Sequence, residues 1–144
     1  MGFTEKLVRW ARGRSPWILF FDTGACNACD IEVVAALTPR FDLERFGLLL
    51  KGSPRHADIL VVTGPVTRQV RDRIIRIYNQ MPEPKFVVAA GTCATGGGAF
   101  WKCYNTYESL DKVIPVDAYI SGCPVKPEAV IQAVNVLVQK IMKG

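Results

Sequence analysis

Four short apolar runs constrain the fold of this chain more than any other feature: WILFFD (17–22), ADILVVTG (57–64), KFVVAAG (85–91) and DAYISG (117–122). Each is strand-sized and carries β-branched or aromatic residues with few polar side chains. Such runs fit strands covered on both faces, as in a parallel sheet. A fifth strand is expected within RFGLLLKG (45–52). Between the runs lie helical stretches. Residues 29–37 are expected to turn Ile31, Val34 and Ala35 inward and to end at Pro39. Thr67 stands where it can cap a helix whose core stripe is Val70, Ile74, Ile77 and Tyr78. The last helix opens at Pro127, a favoured first position, with Glu128 in its first turn and Lys140 and Lys143 at its C-terminal end. Its stripe is Val130, Ala133, Val134, Leu137 and Ile141. Strand–helix alternation of this kind predicts an α/β fold, a flavodoxin-like doubly wound parallel sheet with helices on both faces.

The chain's 144 residues suffice for one domain with its own core. Residues 1–15 are expected to form an N-terminal amphipathic arm and residues 16–144 a single α/β domain. In the arm, Phe3, Leu7, Trp10 and Ala11 share a helical stripe, with Lys6, Arg9 and Arg12 elsewhere. That stripe is expected to pack on the domain itself, although a basic amphipathic helix also suits a membrane interface or a membrane subunit. Hydrophobic residues make up 49% of the chain and charged ones 22%, the balance of a globular protein. The net charge of +5 suits an acidic partner, an anionic surface or nucleic acid. The basic residues form no single block and aromatic residues do not alternate with them, so no nucleic-acid partner is expected. No run has the length of a membrane span and no apolar leader opens the chain, which predicts a cytoplasmic location.

In doubly wound folds, ligands collect beyond the carboxyl ends of the strands. Cys26 and Cys29 follow the first apolar run, Cys93 follows KFVVAAG, and Cys123 follows DAYISG and precedes Pro124. On loops leaving parallel strands, all four emerge at one edge of the sheet. Five cysteines make a poor disulfide framework, and grouped cysteines in a reducing compartment more often serve metal or redox chemistry. Four convergent thiolates suit tetrahedral zinc or an iron–sulfur cluster. Structural zinc usually draws on two close ligand pairs, and only one pair is close here. A cluster, being larger, accepts thiols from three separate loops, and the Cys-Pro at 123–124 matches the one that closes ferredoxin motifs. The residues favour the cluster, with a zinc-stabilised, non-redox interaction module as the alternative of another class. A thioredoxin-like dithiol at Cys26 and Cys29 leaves Cys93 and Cys123 without a role. Cys103, in WKCYN, reads as a small, partly buried hydrophobe, and His56 as a polar loop residue.

The segment GTCATGGGAF (91–100) supports a bulky inorganic group, because Gly91, Gly96, Gly97 and Gly98 allow close backbone approach and offer N–H donors to sulfides. Gly91 and Gly96 also have the spacing of a phosphate-binding loop. Gly97 and Gly98 then occupy the places of the required Lys and Ser/Thr, so that chemistry is not expected.

Together, CNACDIE (26–32), GTCATGGG (91–98) and VDAYISGCPVKPEAV (116–130) resemble the small electron-transfer subunit of membrane-bound, energy-converting [NiFe]-hydrogenases. They are similar also to the related B subunit of respiratory complex I. LTPRFDLERFG (37–47), GSPRHADILVVTGPVT (52–67) and DKVIPVD (111–117) fit too, so the resemblance covers nearly the whole chain after Ser15. It implies that Cys26, Cys29, Cys93 and Cys123 hold one [4Fe–4S] cluster, the one nearest the active site of the large subunit. It also implies a non-catalytic subunit of an oxidoreductase complex, inactive alone, that relays electrons between a ferredoxin-like polyferredoxin subunit and a [NiFe]-type large subunit. Integral membrane subunits of the same complex would hold it, peripherally, on the cytoplasmic side of the membrane.

The complex I subunit places its first two cysteines side by side, whereas Asn27 and Ala28 separate them here, which leans toward the hydrogenase branch. Membrane-bound reductases of sulfur compounds share the architecture. Ala28 stands where a glycine is common, and Cys103 receives no ligand role. Soluble hydrogenase small subunits carry a further cluster domain, for which this chain has no cysteines left. Additional clusters are therefore expected in the ferredoxin-like subunit, and the nickel–iron site, which needs two CxxC pairs, in the large subunit. Asp30 and Glu32 are candidates for proton movement or for docking the large subunit, and equally are acids favoured in the first turn of a helix.

Overall fold

The computed structural model describes residues 3–143, with side chains for 7–8 and 10–140. The apolar runs form strands β1 (Trp17–Asp22), β3 (Ile59–Thr63), β4 (Phe86–Ala90) and β5 (Ala118–Ile120), and Leu49–Leu50 adds a short β2. All pair in parallel, in the order β2-β1-β3-β4-β5. This is the flavodoxin order, in which the direction of winding reverses between β1 and β3. The register levels the carboxyl ends: Asp22 pairs with Thr63, Thr63 with Ala90, and Ala90 with Ile120. The cysteine-bearing segments therefore leave the sheet from one line.

The helices are α1 (Phe3–Arg14), α2 (Ala28–Leu37), α3 (Arg68–Gln80), α4 (Thr92–Gly96) and α5 (Pro127–Lys143). Every residue of β3 is buried, and its alternation divides the core in two. Ile59 and Val61 pack with Val33 of α2 and Val134 and Leu137 of α5, while Leu60 and Val62 pack with Ile74 of α3. Val130 is buried as expected on α5. The side chains of Ile141 and Lys143 lie outside the described residues.

Three details depart from expectation. In α2, Val33 and Ala36 are buried, whereas Ile31 and Val34 are 60% and 51% exposed. Apart from Asp30 and Glu32 near its start, the helix is apolar on every side, so its periodicity could not choose a face. Cys29 packs against the core and, four residues before Val33, sets the rotation. In α1, which lies against α5, Leu7, Trp10 and Ala11 are exposed, so the expected stripe does not face the domain at these positions. The side chains of Phe3, Lys6 and Arg9 lie outside the described residues. Thr67 does precede α3, but its hydroxyl makes no capping bond, and its carbonyl accepts the Val70 and Arg71 N–H groups. No helix among the described residues is long and apolar enough to cross a membrane.

Candidate metal centre

The first cysteine segment is shaped by Asp22, whose Oδ1 accepts the N–H groups of Gly24 (2.7 Å) and Ala25 (2.6 Å) and so turns the chain at the end of β1. Asn27, at φ 69°, completes the turn into α2. Cys26 lies on the loop and Cys29 in the first turn of the helix. Cys93 likewise stands in a helical turn, in α4 directly after β4, while Cys123 lies on the loop after β5. Cys29 thus opens the helix expected over residues 29–37, whereas Cys93 sits on a helix start where a loop was expected. Cys29 and Cys93 are half-buried, and Cys26 and Cys123 are exposed.

Backbone without side chains lies against the two inner sulfurs. A Cβ on Gly91 would stand 2.7 Å from Cys29 Sγ, and one on Gly98 would stand 2.8 Å from Cys93 Sγ. Gly96 faces open space, and Gly97 is crowded by the Glu108 carbonyl and Trp101, away from the thiols. The expected role of four glycines narrows to Gly91 and Gly98.

Burial pushes the Cys29 thiol above its ordinary pKa; the Val125 N–H opposes this, and Cys93, Cys123 and Cys26 add to the rise. Burial also raises Cys93, against the Ala99 N–H, with Cys123 and Cys26 contributing upward. The four thiols thus act within one electrostatic field. With raised pKa values the inner two hold their protons at neutral pH. A group that requires thiolates must displace those protons, so its binding strengthens as pH rises. No three His, Cys, Asp or Glu side chains among the described residues close around a single ion. Four thiols at one sheet edge, two of them against bare backbone, suit a thiolate-bound group.

Cys103 is exposed, not partly buried, because the turn after Gly98–Phe100 carries it outward. It does not figure among the charges felt at Cys29 or Cys93. His56 is exposed and stacks on Trp17, with ring centroids 5.9 Å apart. Asp30 accepts the Thr63 hydroxyl at 2.5 Å, and Glu32 follows it, half-buried, on α2. Sequence reasoning missed Asp22 and Thr63. The Asp-Thr-Gly turn after a strand signalled the first, whereas the second emerges only when β3 and α2 meet.

A flavodoxin-ordered sheet with four thiols leaving its carboxyl edge places the chain among doubly wound α/β proteins whose cysteines gather at one end of the sheet. Residues 26–137 match the family described as NADH ubiquinone oxidoreductase, 20 Kd subunit, and the chain belongs to that family. It is 53% identical over 131 residues to a probable membrane-bound hydrogenase subunit, mbhJ, of Pyrococcus furiosus, covering 91% of this chain and 78% of that one. It is 45% identical over 138 residues to an NADH-quinone oxidoreductase subunit of Roseiflexus castenholzii, covering 95% of this chain and 50% of the relative. A chain of the membrane-bound sulfane sulfur reductase, an archaeal respiratory membrane complex, superposes with a TM-score of 0.85 at 44% identity, over 97% of this chain and 77% of that one.

Proposed function

We propose that the chain is the electron-transfer subunit of a membrane-bound [NiFe]-hydrogenase complex, holding the proximal [4Fe–4S] cluster through Cys26, Cys29, Cys93 and Cys123. The observation that carries this reading is the shared field of four thiols at one sheet edge, with Gly91 and Gly98 leaving backbone bare against two of the sulfurs. When bound, such a cluster supplies one-electron chemistry at a potential set by burial and by hydrogen bonds to sulfur. The chain's own part is to hold and tune. The Val125 and Ala99 N–H groups donate to the Cys29 and Cys93 sulfurs and draw negative charge from them.

Ile31 and Val34 on α2, with Phe100 and Trp101 after Cys93, expose apolar surface beside the thiols, which supports a partner over that edge. In this reading the partner there is the [NiFe]-type large subunit, a ferredoxin-like subunit is the other electron partner, and integral membrane subunits hold the assembly on the cytoplasmic face. Asp30, engaged by Thr63, serves the helix start, and Glu32 remains the docking acid. The resemblance to the Pyrococcus furiosus subunit supports the hydrogenase assignment. The likeness to the sulfane sulfur reductase chain supports a second reading, the equivalent subunit of a sulfur-compound or quinone reductase, in which this chain does the same work for a different partner.

Anaerobically purified protein is expected to be brown, to bleach with dithionite, and to hold about four irons per chain. Cys93→Ser and Cys123→Ser should each lose most of that iron, and Cys103→Ser should keep it. A colourless protein with one stoichiometric zinc would replace the cluster by a zinc-stabilised interaction module, and full iron in both serine variants would overturn the ligand set. Sequencing the copurifying large subunit separates the two readings: two complete CxxC pairs mark a hydrogenase, and incomplete pairs mark a reductase.

A further inference from the structure

Among the described residues the buried polar and charged side chains are Thr23, Asp58 and Thr63. Asp58 belongs to the opposite edge of the sheet. Thr23 and Thr63 lie beneath the cysteines, at the carboxyl ends of β1 and β3. A fully buried hydroxyl at the end of an Ile-Leu-Val-Val strand needs a partner, because a valine fits the same space without a polar group to satisfy. Thr23 donates its N–H (3.0 Å) and its hydroxyl (2.8 Å) to the Thr63 carbonyl, and its hydroxyl also reaches the Gly64 carbonyl. Thr63 in turn donates its own hydroxyl to Asp30 Oδ1 at 2.5 Å. Asp30 directly follows Cys29 in the first turn of α2. The residue before that helix, Asn27, makes no side-chain capping bond, so the Thr63 hydroxyl is what ties the turn to the sheet through a side chain.

We propose that Thr63 is a positioning residue for the thiol centre. By donating to Asp30 it fixes the first turn of α2 and the Cys29 sulfur, and it draws off part of the carboxylate's negative field at that sulfur. Hydroxyl-to-carboxylate bonds are short and among the stronger neutral-to-charged contacts, which suits them to holding one geometry. With the hydroxyl removed, Asp30 keeps its charge, loses its donor and is free to swing. Its unshielded charge makes an electron on a neighbouring group less favourable, and the helix turn loosens around Cys29.

The effect on a bound group rests on the cluster reading, whereas the effect on Cys29 does not. The test compares the wild-type full chain with Thr63→Val and Thr63→Ser. In iron-loaded protein, Thr63→Val is expected to keep its iron but to titrate at a more negative midpoint potential, with an altered electron paramagnetic resonance spectrum when reduced. Thr63→Ser, which keeps the hydroxyl, should restore both. In metal-free protein, at a pH high enough that the thiols are ionised in every variant, peptide mass spectrometry should show Cys29 alkylated several-fold faster by iodoacetamide in Thr63→Val than in wild type, with Cys93 as internal reference. An unchanged potential in loaded Thr63→Val together with an unchanged Cys29 rate overturns the proposal, as does failure of the serine variant to restore what valine removes. Wild-type protein that never takes up iron overturns the cluster reading and leaves the alkylation rates to decide the role of Thr63.

Discussion

Gly91→Ala is expected to strip most of the iron from the protein and to lower its melting temperature. Gly91 sits at φ 93° and ψ 159°, a region closed to residues with a side chain, which costs about 1–3 kcal/mol when forced. The added methyl would also stand 2.7 Å from Cys29 Sγ. Neither side can easily retreat. Cys29 is packed against the core of α2 and α5, and Gly91 is held by its N–H to the Ile120 carbonyl and its carbonyl to the Thr95 N–H. The displaced partner is therefore a thiol of the proposed ligand set, and the loss falls on metal uptake as well as on stability. Gly96→Ala is the control: that position has no neighbour within 4 Å of the added carbon, and its iron content should match wild type. Iron content and thermal melts of the two variants decide the matter. A Gly91→Ala protein with wild-type iron and spectrum would remove the steric argument for the centre.

The contrast between Gly91 and Gly96 shows where the sequence is readable. Strands bounded by turn residues and too short to be core helices left few alternatives, and parallel connections reduce the possible topologies to a handful. Once the sheet was parallel, the cysteines after β1, β4 and β5 had to leave from one edge, and the level register of Asp22, Thr63, Ala90 and Ile120 realises that. What escaped depends on rotation and long-range pairing. The apolar residues of α2 surround it, so only contact with the sheet shows that Val33 faces in and Ile31 faces out. The Thr63–Asp30 bond joins residues 33 positions apart, and the donors to the inner sulfurs are backbone N–H groups of Val125 and Ala99, whose side chains carry no signal of that role. The GGG run looked uniform, yet only its last member faces a sulfur.

The largest effect expected away from the cysteines is at Asp58. Its carboxylate accepts the Trp17 N–H at 3.0 Å, where β1 begins, and meets Arg12 Nε of α1 at 3.3 Å. Its backbone joins the same knot, donating to the Trp17 carbonyl and accepting from Phe86 at the start of β4. Arg12 also donates to the Glu83 carbonyl, so one buried carboxylate gathers α1, β1 and β3 at the amino edge of the sheet. Asp58→Ala leaves the Trp17 N–H without its acceptor and the guanidinium with the Glu83 carbonyl but no counter-charge. Breaking a buried pair costs more than its net worth, and with Arg12 a quarter exposed the loss should be about 2–3 kcal/mol. For a chain of this size that is a fall of roughly 5–10 °C in melting temperature. Asp58→Asn keeps an acceptor for Trp17 and loses the charge, so it should fall between alanine and wild type. Because the thiols lie at the other end of the strands, iron content should stay at the wild-type level in both variants. Thermal melts of the iron-loaded proteins provide the check, and an alanine variant that melts with wild type would show that α1 is held by its packing on α5 alone.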